Sequence, residues 1–151
     1  MKPLTITVPG VPPSVNLGRS KHWTKVTQDT SLYRALAAVA TREAVAAWDG
    51  NILDWQTRPL RCVIWHYPDT LRGDAHNREK VVVDGLVDGL NMALGTTTEG
   101  LQSGKVFNDS RIAILSMHPQ RNRDKPCVVC VLGLEADFNY EFKAAGGPDA
   151  E

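Results

Sequence analysis

The chain has 151 residues and no net charge, because 17 lysines and arginines balance 17 aspartates and glutamates. This length suits one domain with a core of its own, and a hydrophobic share of 42% is typical of a soluble globular protein. No apolar run approaches the roughly 20 residues that a membrane helix needs. We therefore predict a single globular domain without a membrane partner.

The N-terminus and the cysteines indicate a reducing compartment. The first residues lack the apolar core of a signal peptide and have the pattern of a strand. Three cysteines are too few, and odd in number, for a disulfide framework. We predict a cytoplasmic location. Cys127 and Cys130 lie three apart in a predicted strand, so we interpret them as ordinary strand residues and not as a zinc site.

Charge is distributed unevenly along the chain. Residues 135–151 carry five acids and one base, a balance of −4, which leaves 16 bases and 12 acids, or +4, in residues 1–134. The terminal segment is rich in Ala and Gly and has little to bury. We predict a folded domain over residues 1–134 and a flexible acidic tail over residues 135–151. The basic body mildly indicates a polyanionic partner, and a solvated tail without a role is the alternative.

The first third of the chain predicts a strand, a loop and a helix. The strand covers Leu4 to Val8, and a Pro-rich stretch ends it. A loop then runs to about Thr30. This loop has two interpretations. In the first, its cations hold a phosphate backbone while Trp23 stacks on a base; in the second, Trp23 covers the edge of the core. The helix covers residues 31–48, with apolar residues at helical spacing, namely Leu32, Leu36 and Val39.

Three strands and one ambiguous segment follow. Strands are predicted over residues 60–67, 112–117 and 127–134. A basic hairpin over residues 118–125 joins the last two of them. Residues 77–94 fit either two short hairpins or a helix with an apolar stripe. We prefer the helix, in which Gly85 and Gly89 permit close packing at a cost of about 1 kcal/mol each relative to Ala. The fold class is α/β (α+β), a small mixed sheet packed by two main helices.

The densest polar cluster lies between the second strand and the second helix. It reads Arg72-Gly73-Asp74-Ala75-His76-Asn77-Arg78-Glu79-Lys80, and α/β proteins place their sites in such loops. Asp74 and His76 share one face of an extended segment, and Lys80 follows in the first turns of the helix. Such a group can hold a divalent cation and neutralise a phosphodiester transition state. Charged strand-to-helix loops without a function are the alternative.

A second acidic site precedes the third strand. Asn108 and Asp109 approach that strand, and one carboxylate from each of two loops suits Mg²⁺, which accepts few protein oxygens and keeps waters. Asp84 lies four residues after Lys80, so we predict an ion pair between them within the helix. The chain has no Walker loop, GxGxxG or GxSxG motif, so we predict no nucleotide cofactor.

Taken in order, these motifs resemble the RusA family of Holliday junction resolvases, small endodeoxyribonucleases of bacteria and their phages and prophages. The resemblance spans roughly residues 4 to 134 and includes the Pro-rich start, Tyr33-Arg34 in an Ala-rich helix, D-x-H-N-x-x-K-x-x-x-D-x-L over residues 74–86, and Asn108-Asp109. It implies a RusA-like homodimer in the bacterial cytoplasm or a phage-infected host. Such a dimer binds four-way DNA junctions and cuts them symmetrically with Mg²⁺ or Mn²⁺ in DNA recombination and repair.

The resemblance also assigns roles to residues. It maps the metal site onto Asp74 and Asp109 and the catalytic lysine onto Lys80, with His76 and Asn108 where the family has aspartates. A neutral imidazole is a poor Mg²⁺ ligand and removes a negative charge. Three alternatives follow from these departures. The chain is an active nuclease whose site accepts the histidine or prefers Mn²⁺, it is a slowed nuclease, or it binds junctions without cutting them. An unrelated enzyme acting on a phosphorylated metabolite is a further alternative. Candidate DNA contacts, mostly to phosphates, are Arg19, Lys21, Arg72, Asn77, Arg78, Lys105, Arg111, Arg121, Arg123 and Lys125.

Overall fold

The computed structural model describes residues 2–13, 23–55, 58–67, 76–95, 107–117 and 125–138. These residues form a four-stranded sheet and two long helices joined by short 3-10 turns. The strands are β1 (Leu4–Pro9), β2 (Leu60–Tyr67), β3 (Ile112–Met117) and β4 (Cys127–Leu134), and the helices are α1 (Trp23–Ala47) and α2 (His76–Ala93). The predicted mixture of helices and strands is confirmed, as is the helical form of the ambiguous segment. The described part contains no helix long and apolar enough to cross a membrane.

The sheet has the strand order β1-β4-β2-β3. β4 is antiparallel to both of its neighbours, whereas β3 is parallel to β2. β2 therefore separates β3 from β4. β3 and β4 do not pair, so they are not joined as a β-hairpin, contrary to the prediction; residues 118–124 themselves lie outside the described residues. Parallel neighbours need a crossover connection, and α2 lies in the connection between β2 and β3.

The parallel strands give the sheet two distinct ends. Tyr67 ends β2 opposite Cys127, and we call this the upper end of the sheet; Leu60 begins β2 opposite Ile112, and we call this the lower end. Seven steps of about 3.3 Å separate Leu60 from Tyr67, so the two ends are about 23 Å apart. α2 begins after the upper end of β2 and returns to the lower end, where β3 begins.

Two glycines bring α2 into close contact with α1. A Cβ atom on Gly85 would lie 2.5 Å from the Cβ atom of Ala37, and one on Gly89 would lie 2.5 Å from that of Thr41. Real Cβ atoms do not approach so closely, so the predicted close packing at the two glycines is confirmed. Only small side chains of α1 fit at such a contact, and Ala37 and Thr41 are completely buried there.

Two features of α1 differ from the predicted first helix. α1 begins at Trp23, so residues 23–30 are helical and not part of a loop. The apolar stripe also faces outward, because the small residues occupy the inward face. Its members are exposed by 71%, 42% and 44%, for Leu32, Leu36 and Val39 respectively.

The core occupies both faces of the sheet. The larger cluster lies between the helices and one face and includes Cys130, whereas a smaller cluster on the other face includes Cys127, with Phe138 packed against it. Both cysteines are buried and unbridged, as predicted for ordinary residues of a strand. The described residues continue past residue 134 to Phe138. Arg61 Nη2 donates to Glu135 Oε1 at 2.7 Å, while residues 139–151 lie outside the described residues.

Candidate functional site

The predicted site residues fall at two places in the described structure. His76 and Asn77 open α2, followed by Arg78 and Lys80, and Lys125 precedes β4. Asp109 and Arg111 begin and end a 3-10 turn immediately before β3. The remaining predicted site residues lie outside the described part, and these are Arg19, Lys21, Arg72, Asp74, Lys105, Arg121 and Arg123.

Cations gather at the upper end of the sheet. Arg78 and Lys80 lie in the first turns of α2, and the Lys80 side chain is 67% exposed. Lys125 is exposed at the same end, where the carbonyl of the next residue, Pro126, accepts a hydrogen bond from Gly10 N–H at 2.9 Å. The N-terminus of a helix adds a partial positive charge. This end of the molecule therefore offers a favourable position to a phosphate group.

Lys80 belongs to a network of ion pairs between the two helices. Its Nζ atom lies 3.4 Å from Asp84 Oδ2, so the predicted pair within the helix is confirmed. Arg34 Nη1, on α1, lies 3.9 Å from the same oxygen. Asp84 therefore lies between a cation of its own helix and a cation of α1.

A bidentate contact with Asp88 fixes Arg34 in that network. Arg34 donates from Nε to Asp88 Oδ2 at 2.5 Å and from Nη2 to Asp88 Oδ1 at 3.0 Å. The hydrogen bond to Asp88 raises the pKa of Arg34, while partial burial of the guanidinium acts in the opposite direction. Paired bonds of this kind fix the orientation of the guanidinium plane as well as its position. The middle of α2 is thereby held against α1.

A groove of about 600 Å³ adjoins the cationic end. Apolar walls from the end of β1 and from α1 enclose it, and Arg78 is the one cation among its described lining residues, which are Pro9, Gly10, Val11, Pro12, Pro13, Asp29, Leu32, Tyr33, Leu36 and Arg78. The Tyr33 hydroxyl is buried and has no hydrogen-bond partner among the described residues. Burial raises the pKa of Tyr33, and nearby Cys130 and Cys127 add to the rise.

Asp109 lies at the lower end of the sheet. Its turn is closed by a hydrogen bond from Ile112 N–H to the Asp109 carbonyl, and Ile112 lies opposite the first residue of β2. The Ser110 hydroxyl contacts Asn108 Oδ1 beside it. Asp109 itself is exposed. The carboxylate is therefore presented to solvent from a backbone that the sheet holds in place.

A buried asparagine, which the sequence analysis missed, holds the segment that leads to Asp109. Asn91 lies near the end of α2 and is completely buried. Its Nδ2 atom donates to the carbonyls of Phe107 and Val87, both at 3.0 Å, and its Oδ1 atom accepts from Phe107 N–H at 3.1 Å. The signal in the sequence was weak: a single amide directly after Leu90, in the apolar stripe of α2.

The fold does not bring Asp109 to the start of α2 within one subunit. His76 and Asn91 are 15 residues apart in α2, which corresponds to about 22 Å along the axis. Asp109 follows Phe107, which Asn91 holds, by two residues, a span of at most about 7 Å. The Asn91 side chain spans part of the remaining distance, but the sheet keeps the two places apart. Arg78, at the start of α2, lines a groove with Pro9 at the upper end, whereas Asp109 precedes Ile112 at the lower end, about 23 Å away. Two side chains that meet at one ion, with bonds of about 2 Å, do not span that distance. A metal site that uses both places needs two subunits.

The sequence was compared with protein-family models and with curated proteins. No protein-family model matches the chain, and no curated protein is significantly similar to it. Within the ranges that the structure describes, no three side chains of His, Cys, Asp or Glu are grouped so as to hold a metal ion. Asp74 lies outside those ranges.

Proposed function

We propose that this protein is a metal-dependent endodeoxyribonuclease of the RusA type that binds four-way DNA junctions and cuts them as a homodimer. One observation carries the proposal: the motif D-x-H-N-x-x-K lies where β2 passes into α2, and its Lys80 is exposed there beside Arg78. The resemblance supplies the reaction class. The cations at the upper end supply an attraction for the phosphates that any DNA-cutting site must hold.

The residues have the donor chemistry of a divalent metal site. Asp109 offers an exposed carboxylate on a fixed backbone, and the motif contributes Asp74 and His76. Oxygen ligands suit Mg²⁺, whereas an imidazole suits Mn²⁺ better. A bound ion supplies polarisation of the phosphoryl oxygen and a more acidic attacking water. We expect Mn²⁺ to support at least as much activity as Mg²⁺.

Lys80 stabilises the negative charge that develops on the phosphate and its leaving oxygen. Its exposed ammonium can reach a phosphate at the upper end, and Asp84 holds its stem over the first turns of α2. Asp84 screens the Lys80 ammonium on one side, and 67% of the Lys80 side chain stays exposed to an approaching phosphate. Arg78 and Lys125 bind flanking phosphates at the same end and position the strand.

A two-fold dimer completes the site. The two-fold axis pairs the lower end of one copy with the upper end of the other, so that Asp109 of one copy joins Asp74, His76 and Lys80 of the second. Two such sites, related by the axis, match two symmetric cuts in a four-way junction. The exposed stripe on α1 provides an apolar surface of the kind that association covers.

The test is cleavage of a synthetic four-way junction and of a linear duplex of the same sequence, each with Mg²⁺ and with Mn²⁺. We expect the junction to be cut and the duplex to remain intact, and we expect Asp74→Asn and Lys80→Ala to abolish cutting. Arg42→Ala is the control, because Arg42 is an exposed cation of α1 that belongs to neither end of the proposed site. Intact junctions under both metals would refute the nuclease function.

The histidine offers a sharper version of this test. His76→Asp restores the carboxylate of the family motif, so we expect it to raise the activity with Mg²⁺ more than the activity with Mn²⁺. Equal or lower Mg²⁺ activity would mean that the histidine does not limit metal binding.

The second candidate function is junction binding without cutting. Two observations favour it: His76 and Asn108 each stand where the family motif has an aspartate. Such a protein would retard junctions in gel shifts, with an affinity that falls as salt rises, and would leave them intact under both metals. The cleavage assay and the gel shift together separate the two candidates.

A further inference from the structure

We propose that Asn91 is a positioning residue, which fixes the carboxylate of Asp109 by holding the backbone of Phe107. The inference rests on the proposed function, because that function makes Asp109 a metal ligand. It adds a residue that the motif does not contain, at the opposite end of α2 from Lys80.

The contacts of Asn91 show what an amide contributes at this position. A completely buried amide is unfavourable unless its hydrogen bonds are made, whereas a leucine of similar size would fill the same space without polar groups. One bond of Asn91 returns to its own helix, at Val87, and the other two take both the N–H and the carbonyl of Phe107. The asparagine therefore binds the backbone of another segment at two groups, the N–H and the carbonyl of Phe107.

The hydrogen bonds to Phe107 restrain Asp109 because the segment between the two residues is short and itself fixed. The side chain of Phe107 is itself completely buried, and Asn108 is extended, with φ of −144° and ψ of 162°. On the far side, the bond from Ile112 N–H to the Asp109 carbonyl leads directly into β3. Asp109 thus has an anchor two residues before it and another three residues after it. Metal ligands need such support, because a site performs only within about 0.5 Å of its productive geometry.

The test compares Asn91→Leu with a control that removes an equally buried polar group elsewhere. Thr41→Val is that control, because Thr41 is completely buried and its hydroxyl donates to the Ala37 carbonyl of its own helix at 2.8 Å. Both groups of this bond belong to α1 and not to the segment that leads to Asp109. Both variants are measured at a temperature well below the unfolding transition of each. If Asn91→Leu does not fold, Asn91→Ala replaces it, since truncation adds no volume.

Two measurements are made on the full chain. The first is hydrogen exchange of the Ile112 amide, which closes the Asp109 turn; we expect it to exchange at least about tenfold faster in Asn91→Leu, and at the wild-type rate in Thr41→Val. The second is the Mn²⁺ concentration for half-maximal junction cleavage. It should rise about 10- to 100-fold in Asn91→Leu, the range for residues that support metal ligands, and high Mn²⁺ should recover the rate.

The outcomes separate this inference from the proposed function. If the wild-type protein cuts junctions and Asn91→Leu matches Thr41→Val in both exchange and metal dependence, the positioning role is refuted while the nuclease function stands. If the wild-type protein cuts no junction, the proposed function fails, and hydrogen exchange alone still decides whether Asn91 fixes the Asp109 turn.

Discussion

Two inactive variants of this protein, mixed in one preparation, should cut DNA again. Lys80→Ala removes the exposed ammonium at the upper end, and Asp109→Asn removes the carboxylate at the lower end. Because Asp109 and the start of α2 lie at opposite ends of the sheet, about 23 Å apart, each site of the proposed dimer takes its Lys80 from one copy and its Asp109 from the other. A mixed dimer then has one site that lacks both groups and one site that is intact.

The expected recovery follows from the symmetry. Random exchange of subunits makes about half of the dimers mixed, and each mixed dimer keeps one site of two, so about a quarter of the wild-type nicking rate should return. One site makes one cut. A supercoiled plasmid with an extruded cruciform should therefore be converted to nicked circles by the mixture and to linear DNA by the wild-type protein.

A second mixture controls for exchange and for residual activity. Lys80→Ala with Asp74→Asn removes two groups of the same half-site, so every mixed dimer lacks an intact site and no activity should return. Each variant carries a different affinity tag, and two successive pull-downs establish that mixed dimers form in both preparations. Inactivity of the first mixture in the presence of mixed dimers would refute a site shared between subunits.

Three predictions concern stability. A methyl group on Gly89 would meet the Ala38 carbonyl oxygen at 2.6 Å, so Gly89→Ala should cost about 1–3 kcal/mol in urea unfolding despite a gain of about 1 kcal/mol in helix propensity; unchanged stability would contradict the close packing. Tyr33→Phe removes a buried hydroxyl with no partner among the described residues and should stabilise the fold by about 1 kcal/mol. Because burial raises the pKa of Tyr33, the unfolded chain releases this proton first. The contribution of Tyr33 is complete below about pH 10 and falls by about 1.4 kcal/mol per pH unit above it, a loss that Tyr33→Phe should lack in alkaline unfolding curves. A double-mutant cycle at Arg34 and Asp88, whose side chains are 43% and 22% exposed, should give a coupling of about 1 kcal/mol that weakens with salt; a coupling of zero would show that the paired bonds are not held in solution.

The strands and the second helix were predictable because local pattern decides them. β2 is a run of β-branched and aromatic residues, and α2 has a regular apolar stripe that outweighs its two glycines. The inward face of α1 was not predictable from α1 alone. Large apolar residues mark an inward face by default, but Gly85 and Gly89, far away in the chain, select the small residues instead.

The arrangement of the site depends on pairing that no local pattern contains. Neighbours in sequence usually pair, and that rule predicted a hairpin between the last two strands. β2 instead lies between them, which puts the start of β3, and with it Asp109, at the end of the sheet opposite to the motif. Asn91 gave little signal for a related reason: the partner of a buried amide is a backbone group, and any residue can supply one.

The crossover through α2 has a consequence for the amount of protein needed to cut. In the proposed dimeric nuclease, a chain that passes from one end of the sheet to the other between two parts of its site does not cut as a single copy, whatever the affinity of that copy for DNA. Cutting then requires an encounter between two molecules. Below the dissociation constant of the dimer, the rate should rise with the square of the protein concentration, so that scarce subunits bound along a chromosome leave it unbroken.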